Sequence, residues 1–170
     1  MRAGAAPGRL RDAEGGALVE LALVIPFLFL LILNTVNLGA CFYACIAVAD
    51  AARAGAQYTV YNGTAAVGSP TRPTAAQVAS MVKADMAGLP NQSSIEVRVC
   101  TNNNSSQACS GTGSGTVPTD PEPSNFVLAS VDVTYTYVPV ISAFDFPALG
   151  VHLTLPPTAI HRQAIMRMIQ

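Results

Sequence analysis

The sequence is poor in charge. Of its 170 residues 11% are Asp, Glu, Lys or Arg, and nine basic against ten acidic residues leave a formal charge of -1; an ordinary soluble domain carries about 25% charged residues. A balance this close to zero supplies no field to hold a polyanion, which argues against nucleic acid as a partner. Tryptophan is absent, and six Phe and five Tyr make up the aromatics, enough for a modest core. Histidine occurs twice, as His152 and His161, without a Cys or carboxylate at ligand spacing. No G-x-S-x-G, P-loop, H-E-x-x-H or C-x-x-C pattern is present. Ser and Thr are abundant, but without a positioned base they are not nucleophiles. The expectation is a protein that is not an enzyme and holds no metal and no cofactor. What the chain has instead is apolar residues, 51% of the total, so disorder of the whole chain is excluded. Its length allows one domain, or a small domain plus an extra element.

The longest gap in charge lies near the start. Between Glu20 and Asp50 there is no Asp, Glu, Lys or Arg, and Leu21 to Leu33 (LALVIPFLFLLIL) is wholly apolar. A helix crossing a bilayer core of about 30 Å needs about 20 mostly apolar residues. Ala17 to Leu38 supplies them if Glu20, Asn34, Thr35 and Asn37 are tolerated. Arg2, Arg9 and Arg11 precede this stretch, and basic residues near a span mark the cytoplasmic side. The expected order is a cytoplasmic leader over 1–15, a transmembrane helix over 16–38 and an extracytoplasmic domain over 39–170. A cleaved secretory signal competes with this reading. The apolar stretch is too long for one, Glu20 interrupts it, and the Ala-rich sequence from Asn37 to Tyr61 continues as helix with no proline. Pro26 should bend the span locally, because it removes a backbone donor and crowds the carbonyl four residues earlier.

A carboxylate inside an apolar helix is costly, so Glu20 either reaches the headgroups or meets a positive partner. The sequence before it is Glu14-Gly15-Gly16-Ala17-Leu18-Val19-Glu20. Cutting after Gly15 would free an amine on Gly16 and make Glu20 the fifth residue of the mature chain. This pattern resembles the class III signal peptides handled by a prepilin peptidase. Together with Arg9 and Arg11, the run Leu21-Ala22-Leu23-Val24 with Pro26, and the helical segment Ala49-Asp50-Ala51-Ala52-Arg53-Ala54-Gly55-Ala56, it resembles the TadE-like family, minor pseudopilins of the Tad (tight adherence) apparatus for Flp pilus assembly. Tyr135 to Val140 and Ala164 to Arg167 resemble the family's final strands more loosely. Asp12 and Glu14 depart from the basic character of a prepilin leader. The resemblance implies an inner-membrane, single-pass protein, processing at Gly15 and Gly16, and pairing of Glu20 with a neighbour's terminal amine, which would offset burial of both charges. It also implies other pilins or pseudopilins and Tad inner-membrane proteins as partners.

Beyond the span, helix should run to about Tyr58, with Phe42, Ile46, Ala49, Ala52 and Ala56 on the face to be covered. Cys41 and Cys45, one turn apart, are either two small buried thiols or one side of a partner bond. Asn62 to Pro73 is a turn-rich loop. Thr74 can cap a helix from Ala75 to about Gly88 that presents Val78, Met81, Val82, Met86 and Leu89 on one side. Ile95, Val97 and Val99 alternate with polar residues as a strand, and a longer strand follows from Val127 to Val138, with Ser130, Asp132, Thr134 and Thr136 on its polar face. Val151 to Leu155 and Ile160 to Met168 are candidate third and fourth strands. His161 and Arg162, adjacent in the last of these, face opposite sides. Cys100 and Cys109 enclose eight residues, and outside the cytoplasm a disulfide across that loop would persist; two free thiols are the alternative. Ser110 to Ser124 is of low complexity.

The fold expected is α+β: a long N-terminal helix, transmembrane in its first half, packed in its second half on a small antiparallel sheet with one further helix. The function implied is a minor pseudopilin acting by helix–helix association. A different class of function, a single-pass membrane-anchored extracellular binding module unrelated to pili, would use the loop from Thr101 to Ser124.

Overall fold

The computed structural model describes residues 9–60, 73–103, 106–113, 115, 126–141, 145–146, 151–152 and 155–169. Two helices, α1 (Arg9–Val60) and α2 (Ala75–Asp85), and six strands follow in the chain: β1 (Glu96–Asn103), β2 (Ser106–Gly111), β3 (Phe126–Tyr137), β4 (Asp145–Phe146), β5 (Val151–His152) and β6 (Thr158–Ile169). The fold is α+β, as the sequence pattern implies. The residues divide into two compact units, one of residues 1–39 with 140–155, the other of residues 40–139 with 156–170.

The second unit is an antiparallel sheet in the order β2-β1-β3-β6, with helices on one face. Its core joins Val97 and Val99 of β1, Val131, Val133, Tyr135 and Tyr137 of β3, and Ile160 of β6 to both helices. From α2 come Val78, Val82 and Met86, followed by Leu89; from α1 come Ala44, Val48, Ala51, Ala52 and Ala56. The buried stripe of α1 thus differs from the one the spacing suggests: Phe42 and Ile46 are exposed. Small residues win because they let the helix approach closely. A Cβ on Gly55 would stand 2.8 Å from Val82 Cγ2 and 3.2 Å from Val131 Cγ1.

Local chemistry sets the boundaries of α2. The Thr74 hydroxyl accepts from the Gln77 backbone N–H at 3.3 Å while the Gln77 side chain accepts from the Thr74 N–H at 2.9 Å, a reciprocal cap. The helix stops at Asp85, a turn earlier than Gly88. The Gln92 amide donates to the Met86 and Leu89 carbonyls at 2.6 and 2.7 Å. Asn91 takes up a left-handed backbone with φ of 57°, a conformation asparagine tolerates better than most residues.

Two strand expectations need correction. The stretch between Cys100 and Cys109 is a β-hairpin rather than a loop, with Cys100 opposite Cys109, and β2 extends through Ser110 and Gly111 into the low-complexity sequence. Alternation is weak in SQACSG, so its strand character comes from pairing with β1. Of the expected strand from Val151 to Leu155, Val151 and His152 form the short β5, which pairs with β4 apart from the main sheet, and residues 153–154 lie outside the described residues. The last strand, β6, pairs with β3 along twelve residues. Residues 62–72, and of the low-complexity sequence residues 114 and 116–124, lie outside the described residues.

Candidate functional site

The features that point to function lie along α1. The helix continues on both sides of Pro26. Gly15 and Gly16 sit within it, and Glu20 follows about one turn later as an exposed side chain. From Leu18 to Ile32 the large apolar side chains other than the half-buried Leu30 are exposed, among them Leu23 at 75% and Phe27 at 71%. Soluble monomers rarely expose so extended an apolar surface, which marks a membrane or protein contact. The stretch is long and apolar enough to cross a membrane.

Three polar side chains interrupt the apolar run, and each is satisfied within the protein. Asn34 Nδ2 donates to the Leu30 carbonyl at 3.0 Å, and Thr35 Oγ1 to the Leu31 carbonyl at 2.9 Å. Bonds of this kind, from a side chain to the carbonyl one turn back, remove a donor from the surface. Asn37 is fully buried. Its amide nitrogen donates to the Ile141 carbonyl at 2.9 Å and its amide oxygen accepts from the Ile141 N–H at 3.1 Å. One side chain thereby occupies both backbone groups of a residue 104 positions away. The two bonds make a two-point match between α1 and the backbone of Ile141. The signal for it was in the sequence: a polar amide within an apolar span calls for a partner.

The other predicted site residues belong to the second unit. Cys100 and Cys109 are joined by a disulfide. Cys41 and Cys45 are free thiols, half-buried on α1. Arg53 and Asp50 form an exposed pair at 3.7 Å. A feature missed in the sequence lies on the sheet face away from the helices. There Asp132 and Ser130 are buried, although their strand positions read as a polar face. His161 Nε2 meets the Asp132 carboxylate, the Gln163 amide donates to Ser130 Oγ at 3.0 Å, and Arg98, opposite Asp132 in the ladder, donates to the Gly115 carbonyl at 2.7 Å. Gly115 lies directly against the Asp132 carboxylate, where a Cβ could not fit. This group is closed by strand neighbours and backbone. Among the described residues no group of three or more His, Cys, Asp or Glu comes together.

A chain with one long apolar N-terminal helix whose far half packs on a small antiparallel sheet belongs to the class of α+β proteins led by a long helix. Within that class, residues 15–57 match the family model described as TadE-like protein, which spans the two glycines, Glu20, the apolar run, Asn37 and Arg53. No curated protein and no solved structure matches the chain.

Proposed function

We propose that the chain is a minor pseudopilin, or membrane-anchored assembly component, of a Flp-type tight adherence pilus, and that it acts by helix–helix association rather than catalysis. The observation that carries this reading is the match over residues 15–57, on a helix that exposes most of its large apolar side chains between Leu18 and Ile32 and again at Phe42, Tyr43 and Ile46. In lipid, where helices gain little from hiding apolar surface, association rests on packing and on polar contacts between helices. Glu20 supplies such a polar contact: after cleavage following Gly15, a neighbour's Gly16 amine would meet the carboxylate and set the register between subunits. Prepilin peptidase, other pilins or pseudopilins and Tad inner-membrane proteins are the partners on this reading. The helix lies in the inner membrane with its N-terminus in the cytoplasm.

Intact mass and N-terminal sequencing of the membrane-extracted protein, beside a Glu20→Ala variant, test the proposal. A wild-type chain beginning at Gly16, with the variant processed but poorly assembled, is the expected result. An uncut start at Met1 would remove the amine partner of Glu20. A start between Ala44 and Ala49 would make the helix a secretory signal and overturn the reading.

A further inference from the structure

Asn37 and the residues around it hold a second piece of chain against α1. The segment 140–155 belongs to the same compact unit as the first 39 residues, and the helix holds it at two points. Near its beginning, Ile141 gives both backbone groups to Asn37. At its end, Leu155 lines a groove together with Phe27, Leu30, Leu31, Asn34 and Leu38 of α1. Phe27 is eleven residues before Leu38, about 16 Å along the axis at 1.5 Å per residue. The groove therefore runs from the end of the span to near its middle.

The composition of the segment suits that depth. Ten of its sixteen residues are Val, Ile, Leu, Phe or Ala, and Lys, Arg and Glu are absent. Its ionisable residues, Asp145 and His152, are register partners across β4 and β5, so the one acid is placed opposite the one base. Pairing of β4 with β5 also occupies backbone groups that lipid would leave unsatisfied. Val140 is 64% exposed beside the pinned Ile141, an apolar side chain directed away from the contact.

We propose that Val140, Ile141 and Leu155 form a second membrane-contacting element: Ile141 and Leu155 are held against the half of the span remote from Glu20, and the exposed Val140 side chain meets the acyl chains of that leaflet. The inference rests on the membrane reading of α1. It moves part of the region assigned by sequence to the extracytoplasmic domain into the bilayer, and it gives Asn37 the role of a clamp that fixes the segment on the helix.

Site-directed spin labelling in phospholipid vesicles tests it. In full-length protein carrying Cys41→Ala and Cys45→Ala, single labels are placed through Val24→Cys, Glu96→Cys, Val140→Cys and Leu155→Cys, and collision rates with oxygen and with a water-soluble nickel chelate are compared. The label at 24 reports the span itself and the label at 96 reports water. Oxygen-dominated collisions at 155 and 140, several-fold above the ratio at 96, are the expected result. Nickel-dominated collisions at 155, with position 24 still oxygen-dominated, would overturn the proposal and leave the span intact. Nickel-dominated collisions at 24 would overturn the membrane reading and this inference with it. Should Leu155→Cys prevent folding, the label at Val140 decides by the same criterion.

Discussion

The two halves of α1 follow opposite rules. From Leu18 to Ile32 the Leu, Ile, Val and Phe side chains are exposed except the half-buried Leu30; between Ala44 and Ala56 the buried positions are Ala44, Val48, Ala51, Ala52, Gly55 and Ala56, while the larger Ile46 is exposed. In water, burial of apolar area is favourable by about 25 cal/mol per Å², so the second half gains by pressing a smooth stripe onto the sheet. In lipid that driving force is missing, so large side chains can face outward at no penalty. Residue size, more than hydrophobicity, separates the part of α1 that packs on the sheet from the part whose large apolar side chains stay exposed.

Paired glycines test this contrast most sharply. Gly55→Leu must push the helix away from Val82 and Val131, and overpacking at a tight contact costs about 1–3 kcal/mol or more. Gly39→Leu, at a position with no atom within 4 Å of an added Cβ, should change stability by less than about 0.5 kcal/mol. Thermal unfolding of both variants in one detergent is the measurement. Equal effects would erase the distinction between the halves.

Cross-linking gives the next largest effect. The disulfide closes a loop with a separation of nine residues, so its loss should cost about 2 to 3 kcal/mol in the chain-entropy model. Cys100→Ser with Cys109→Ser should lower the melting temperature to that of the reduced wild type and abolish its dependence on reductant. A maleimide mass shift should count two reactive thiols per denatured chain before reduction and four after. In the first unit the equivalent restraint is not covalent. Asn37→Leu leaves the Ile141 N–H and carbonyl without their partner, and a buried unsatisfied group costs about 1–3 kcal/mol. Faster proteolysis within 140–155 of the reconstituted variant, with the β1–β2 hairpin still intact, would confine the damage to that unit.

A smaller effect comes from the core of the sheet. The Tyr135 hydroxyl donates to the Pro90 carbonyl at 2.6 Å, and burial, with Tyr137 nearby, raises the phenol above its ordinary pKa. A raised folded-state pKa means that the unfolded chain releases its proton first, so stability is full below the ordinary tyrosine pKa of about 10 and falls as pH rises through the folded value. Tyr135→Phe should lose about 1 kcal/mol at neutral pH and lose part of the alkaline slope. An unchanged slope would show that other groups control the alkaline limb.

Much of this architecture is legible in the residues. The absence of charge from Leu21 to Ala49 marks the apolar helix, and the Thr74 cap marks α2 to within a turn. Alternation identifies β1 and β3 because each presents a row of Val to the helices. The parts that escape the pattern depend on distant partners. SQACSG has no strand signature of its own, and Asp132 reads as surface because its burial comes from the ladder partner Arg98, from Gly115 and from His161. Asn37 reads as a blemish in an apolar run because its partner lies 104 residues away. The buried stripe of α1 departs from the spacing for another reason: spacing alone treats Phe42 and Ala44 as equivalent candidates, whereas close packing selects the smaller.

Arg53 offers the finest test of the comparison, because stability and assembly should separate there. Its pair with Asp50 is long, at 3.7 Å, and both side chains are about two-thirds exposed. Surface pairs of that kind contribute about 0–1 kcal/mol, and spacing of i, i+3 on a helix about 0.2–0.5. Arg53→Ala should therefore leave the melting temperature within about 1 °C to 3 °C of wild type, given a few degrees per kcal/mol for a domain of this size. Arg53 nonetheless lies inside the matched segment 15–57, and it borders a hollow beside β6 together with Arg162. If the helix beyond the span also touches other subunits, Arg53→Ala will reduce co-purification with them while unfolding is unchanged, and Arg53→Lys will restore only the part that needs charge, since lysine cannot reproduce the planar guanidinium fork. If assembly survives Arg53→Ala as well as stability does, subunit contacts are confined to the lipid-facing half, and the division of α1 into an associating half and a domain-bound half becomes complete.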